Sequence, residues 1–136
     1  MKLSRGELPV LHLRAGELVV SAEPLLVSTI LGSCISVTMF HPLFTTGAIC
    51  HGLLPNGHCG EWSPGALRYV DCSVRQMVRR LEALGIRRSD LQVKVFGGAD
   101  VLVHPASAEP RSTIGEQNVR AACVALGEEG LSVLAH

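Results

Sequence analysis

Aromatic side chains are scarce in this 136-residue chain, which has three Phe, one Trp and one Tyr. Twelve Lys and Arg are balanced by twelve Asp and Glu. The chain therefore offers neither a row of base-stacking rings nor an excess of cations to track a phosphate backbone, and no nucleic-acid partner is expected. No run of eighteen apolar residues is present, so no membrane span is expected. The opening Met1-Lys2-Leu3-Ser4-Arg5-Gly6-Glu7 lacks the apolar core of a secretory signal, and the expected location is the cytoplasm. The cysteines, at 34, 50, 59, 72 and 123, are odd in number and irregularly spaced, which suits free thiols better than a disulfide framework. Gly97-Gly98 lacks the lysine and spacing of a phosphate-binding loop and reads as a tight turn at a strand end. There is no repeat, low-complexity tract or long linker. A chain of this length buries a core without metal or disulfides, and one domain spanning residues 1–136 is expected.

What is present begins at Leu31-Gly32-Ser33-Cys34. From Cys34 to Phe40 the residues alternate, with Ile35, Val37 and Met39 on one face and Cys34, Ser36 and Thr38 on the other. His41 to Gly47 breaks the strand, and Ala48-Ile49-Cys50-His51-Gly52-Leu53-Leu54 resumes it up to Pro55. Read as a hairpin, the two runs return His51 toward Cys34. An unperturbed thiol is only about 3% thiolate at pH 7, so a cysteine nucleophile needs a neighbouring base, and imidazole supplies one. Gly32 lets the backbone turn sharply, so that amides around Ser33 and Cys34 can point at a developing oxyanion. Nucleophile, base and oxyanion donors together make the equipment of acyl transfer.

The remaining periodicities predict an α+β layered fold. Leu11 to Ala22 reads as two strands around Ala15-Gly16, and Leu25 to Ile30 as a third. Ser63-Pro64 has the pattern of an N-cap followed by proline at the first helical position, leading into Leu67, Val70, Val74, Met77, Val78, Leu81 and Leu84 at helical spacing. Leu91, Val93 and Val95 alternate as a strand. Thr113 with Glu116 fits a capping box for a second helix through Val119, Ala122, Cys123 and Leu126, and Leu131 to Leu134 closes as a strand.

These blocks, in this order and spacing, resemble the chemoreceptor glutamine deamidase (CheD) family. They are Leu31-Gly32-Ser33-Cys34, Gly47-Ala48-Ile49-Cys50-His51-Gly52-Leu53-Leu54-Pro55, Arg68-Tyr69, Lys94-Val95-Phe96-Gly97-Gly98-Ala99, and Ile114-Gly115 followed by Asn118. The resemblance implies a layered α/β/β sandwich of mixed sheets with two main helices on one side. It implies hydrolysis of glutamine side-chain amides on bacterial chemotaxis receptors, without a cofactor, and association with a CheC-type phosphatase. Cys34 would be the nucleophile and His51 the base. The third member, commonly a threonine six residues before the cysteine, falls on Ser28, with the adjacent Thr29 as its substitute. Gly32, Ser33 and Thr29 are assigned to substrate or oxyanion binding. Family members usually continue past the position of His136 through a glycine-rich segment and a further strand, so the C-terminal segment reads as shortened and the strand near Leu131–Leu134 as lacking a neighbour.

Two rival readings come from other classes. Cys50, His51, His58 and Cys59 are ligand-type residues close together, as in a structural zinc site, but adjacent strand residues point to opposite faces and the paired C-x-x-C knuckle is absent. A catalytically idle interaction domain would carry the same blocks without turnover. A cysteine in an apolar strand is usually a small buried hydrophobe, which is the expectation for Cys50, Cys72 and Cys123.

Overall fold

The two apolar runs do form a hairpin, and the rest of the molecule is arranged around it. A computed structural model describes residues 5–57, 59, 65–99 and 112–135. β4 (Ile35–His41) and β5 (Thr46–Cys50) pair antiparallel, with Thr38 opposite Ile49 and His41 opposite Thr46. They lie at the centre of a five-stranded mixed sheet of order β2-β5-β4-β6-β7. β2 (Leu18–Ser21) is antiparallel to β5, β6 (Gln92–Gly97) antiparallel to β4, and β7 (Val133–Ala135) parallel to β6 at the sheet's edge. β1 (Val10–His12) and β3 (Leu26–Ser28) form a separate parallel pair.

Alternation along β4 decides which face is core. Ile35, Val37 and Met39 are buried with Ala48 and Cys50 of β5 and with Val93 and Val95 of β6. They meet Val70, Val74, Met77, Val78 and Leu81 of helix α1 (Val70–Ala83) and Ala121, Ala122, Ala125 and Leu126 of helix α2 (Ile114–Glu128). Both helices thus cover one face. Across the other face, Leu25 and Val27 stand over Val19, Thr38, Phe40 and Ile49, enclosing an open cleft of about 360 Å³. The order is helices, large sheet, small sheet. No helix among the described residues is long and apolar enough to cross a membrane.

Both helices follow their periodicity, and their ends have local causes. Thr113 Oγ1 accepts the Glu116 amide at 3.2 Å, so the expected cap of α2 is present. α1 begins later than its apolar spacing predicts. Ala66–Arg68 form a single 3-10 turn, and Tyr69 is extended (φ −94°, ψ 130°) before Val70 starts the helix. The cause is tertiary. The Leu53 and Leu54 amides donate to the Arg68 carbonyl at 2.8 and 3.1 Å, and the Val70 amide donates to Leu54 at 2.8 Å, a short parallel bridge that holds Tyr69 straight. Ser63 and Pro64, the expected cap, lie outside the described residues.

The cysteines depart from the sequence expectation. Cys59 and Cys72 are joined by a disulfide, with Cα atoms 5.4 Å apart, while Cys34, Cys50 and Cys123 are free. Irregular spacing along the chain says nothing about proximity in space. The Gly57 amide donates to Asp71 Oδ1 at 3.0 Å, which brings the segment leaving β5 against the first turn of α1, where Cys72 sits.

Candidate active site

The last rung of the β4–β5 ladder fixes the relation between Cys34 and His51. Ile35 and Gly52 exchange both backbone hydrogen bonds, at 2.9 and 2.8 Å, two residues beyond the end of β5. Because Ile35 faces the helices, Cys34 and Ser36 face the opposite way. In the same register His51 lies across from Ser36 and shares that face. Cys34 and His51 are therefore diagonal neighbours on one side of the sheet. Diagonal positions in a regular antiparallel pair are about 7–8 Å apart, within the span of an imidazole and a thiol reaching toward each other. Cys50 points the other way, into the core, and is fully buried.

His51 is held from three directions. Its amide donates to the Glu17 carbonyl at 3.0 Å, and its carbonyl accepts the Gly16 amide at 2.7 Å, so the β1–β2 turn grips its backbone. Its Nδ1 lies 2.7 Å from Thr29 Oγ1. The direction of that bond follows from counting protons. Thr29 has one hydroxyl hydrogen and donates it to the Leu13 carbonyl at 2.8 Å, so toward His51 it accepts. Nδ1 therefore carries the imidazole proton, and Nε2 presents its lone pair. Nε2 is buried and has no hydrogen-bond partner among the described residues. A neutral imidazole in this tautomer can accept a proton at Nε2.

Ser28, the expected third member, does not take that place. It lies at the end of β3, exposed, with its backbone paired to His12 and its carbonyl accepting the Leu13 amide. Thr29 is the residue whose hydroxyl reaches the ring. Six-residue spacing from Cys34 points to Ser28, but the hydroxyl at the ring belongs to Thr29, five residues before it, because the choice depends on how the chain leaves β3. Both line an open cleft of about 350 Å³ beside His51, together with Leu13, Arg14 and the exposed Ile30.

The turn before Cys34 is anchored through its carbonyls. Gly32 accepts the Ala99 amide and Cys34 accepts the Gly98 amide, each at 2.9 Å, and Ser33 accepts from Asn118 Nδ2, also at 2.9 Å. With three successive carbonyls turned toward β6 and α2, the amides of Ser33 and Cys34 are left without an acceptor among the described residues. These are the amides expected from the sequence to meet an oxyanion. Gly97, read from sequence as a strand stop, does more than end β6. It has φ +98°, and a Cβ there would collide with the Cys34 carbonyl oxygen.

Burial acts on both groups in the direction that disfavours charge. Burial lowers the His51 pKa from its usual 6.5 and raises that of the Cys34 thiol from its usual 9.0. Deeper burial pushes Cys50 up to about 11. Both shifts favour the neutral forms, thiol and imidazole.

The four residues of the zinc reading do not gather. Cys50 faces the core, His51 meets Thr29, Cys59 is bonded to Cys72, and His58 lies outside the described residues. Ligand-type atoms of Cys59, Asp71 and Cys72 do lie within 4.8 Å of one another, but the two sulfurs are bonded together.

Comparison with known proteins joins these observations to a family. Residues 53–136 match the family model described as CheD chemotactic sensory transduction. Over 135 residues the chain is 43% identical to a protein of Geobacter sulfurreducens named probable chemoreceptor glutamine deamidase CheD 2, covering 99% of this chain and 80% of that one. It is 36% identical over 139 residues to a Maridesulfovibrio salexigens protein named probable chemoreceptor glutamine deamidase CheD, covering 96% and 80%. A Rhodospirillum rubrum protein of the same name is 35% identical over 130 residues, covering 96% and 70%. The family model begins two residues after His51, but alignments covering nearly the whole chain take in the Cys34 turn as well, and the chain belongs to the CheD family.

Proposed function

We propose that this protein is a protein-glutamine deamidase of bacterial chemotaxis, acting through Cys34 and His51 with Thr29 as the orienting hydroxyl. The relatives' names supply the reaction and the receptor substrate. The observation that carries the mechanism is the Leu13–Thr29–His51 chain of hydrogen bonds, which leaves His51 Nε2 as a free acceptor on the face that bears Cys34.

The reaction then runs from a neutral pair. As the Cys34 sulfur attacks the side-chain carbonyl carbon of a glutamine, its proton passes to His51 Nε2, and charge develops on the carbonyl oxygen near the Ser33 and Cys34 amides. The carbon–nitrogen bond breaks as the amide nitrogen takes the proton from Nε2, releasing ammonia and leaving a thioester. Water gives a proton to Nε2 and adds to the thioester carbon. The carbon–sulfur bond breaks, the proton returns to sulfur, and glutamate remains. The new carboxylic acid gives its proton to ammonia, so the net change is glutamine plus water to glutamate plus ammonium. Thr29 holds the imidazole in one tautomer and orientation throughout, much as a carboxylate does in a serine-protease triad, but without a charge. Residues 1–136 act in this proposal as one catalytic domain. Cytoplasmic location and association with a CheC-type phosphatase belong to it too and rest on the family resemblance.

Ammonia release from receptor fragments tests the proposal. Cys34→Ala abolishes it, whereas Cys50→Ala and Cys123→Ala retain it where the variants fold. Continued turnover by folded Cys34→Ala would remove the thioester route.

A further inference from the structure

Asn118 is a fully buried polar side chain that the mechanism leaves unused. It is 0% exposed, on a stretch of α2 otherwise packed through Ala121, Ala122 and Ala125. Its Nδ2 has two hydrogens and gives one to the Ser33 carbonyl and one to the Leu53 carbonyl, each at 2.9 Å. Ser33 immediately precedes Cys34, and Leu53 is the second residue after His51. The backbone ladder between the two strands ends at Ile35 and Gly52, because Leu53 and Leu54 turn away to donate to Arg68. The strands part at the reacting residues, and one side-chain amide spans the gap.

A buried asparagine is often only a filler of backbone bonds, but two features distinguish this one. Its donors go to both flanks of a single site, 85 and 65 residues away in sequence. Its Oδ1 is buried with no partner among the described residues, so the side chain is not placed for full satisfaction of its own polar groups. We propose that Asn118 is a positioning residue that sets the distance between the Cys34 turn and the His51 strand, and hence proton transfer from sulfur to Nε2. The inference rests on the Cys34–His51 reading.

The test uses Asn118→Leu, close in shape but without donors. The turnover constant for ammonia release should fall about tenfold or more, the scale of a misplaced reacting group, with KM within about threefold. Iodoacetamide alkylation of Cys34 near neutral pH should slow to the rate of His51→Ala, and the double variant should be no slower than His51→Ala alone. A merely structural role would add its loss to that of His51→Ala. If Asn118→Leu does not fold, Asn118→Ser takes its place, since one hydroxyl hydrogen serves only one of the two carbonyls. Wild-type alkylation and turnover in the folded variant, or additive losses in the double variant, overturn the inference. Should the Cys34–His51 reading itself be wrong, His51→Ala alkylates Cys34 like the wild type and Cys34→Ala keeps turning over. Those outcomes are separate from a failure of Asn118 alone.

Discussion

The hairpin of β4 and β5 carries a buried histidine at each end, and the two are wired in opposite ways. His41, 3% exposed at the closed end, accepts the Phe44 amide at Nδ1 (3.1 Å) and turns Nε2 toward Asp90 Oδ2 (3.8 Å), with its ring stacked on Phe44 at a centroid distance of 4.6 Å. Nδ1 is hydrogen-bonded and Nε2 faces a carboxylate. His51, 5% exposed at the open end, donates from Nδ1 to Thr29 and leaves Nε2 empty-handed. Similar burial thus accompanies opposite tautomers, and the unpaired nitrogen, not the burial, distinguishes the end at which we propose the chemistry. An occupied ring contributes to stability; a ring with a free acceptor gives up a hydrogen bond to be ready for a proton.

Substitution at each end is the strongest way to break this contrast. His51→Ala should lower ammonia release by about 10²–10⁴-fold, the usual contribution of a general base. His41→Ala should cost about 1–3 kcal/mol in urea unfolding while turnover stays within about threefold. Comparable losses of turnover from both would mean that the wiring does not separate their roles.

The next effect comes from the turn beneath Cys34. Gly97→Ala places a methyl group against the Cys34 carbonyl in a backbone region that favours glycine, and should lower both stability and turnover, by about 1–3 kcal/mol for the strain alone. Gly127→Ala on α2, where nothing lies within 4 Å, should unfold at a higher denaturant concentration than Gly97→Ala and keep its activity. Equal denaturation midpoints for the two would show that the turn yields to the added methyl.

A smaller change should follow loss of the orienting hydroxyl. Thr29→Val should slow turnover about 10- to 100-fold, Thr29→Ser should restore most of it, and Ser28→Ala should have little effect. A loss on Ser28→Ala that Thr29→Val does not match would return the third role to Ser28.

The smallest effect is on stability against pH. Because burial lowers the folded-state pKa of His51, the unfolded chain binds a proton below about pH 6.5 that the folded protein does not. Stability from this group is therefore fully present above that pH and declines as the solution is acidified toward the folded-state pKa. Urea midpoints measured from pH 7.5 downward should fall more steeply for the wild type than for His51→Ala. A steeper fall in the variant would reverse the sign.

Sequence alone determined a good deal of this molecule. Alternation at Ile35, Val37 and Met39 set the face of β4 that goes inward, and hence that Cys34 faces outward, because side chains on a strand alternate strictly. Helical spacing found the bodies of both helices, and a threonine three residues before a glutamate found the start of α2. These are local matters, settled within a few residues by backbone geometry and burial. The remainder required long-range contacts. Thr29 replaced Ser28 at the imidazole because the path out of β3 turns one hydroxyl, and not its neighbour, toward the ring. α1 lost its first turn to a bridge between Leu54 and Tyr69, and Cys59 met Cys72 because a loop amide caps onto Asp71. Gly97 and Asn118 stood in the sequence as a strand stop and a helix residue. Their place beside Cys34 depends on segments more than sixty residues apart packing together, which no local pattern encodes.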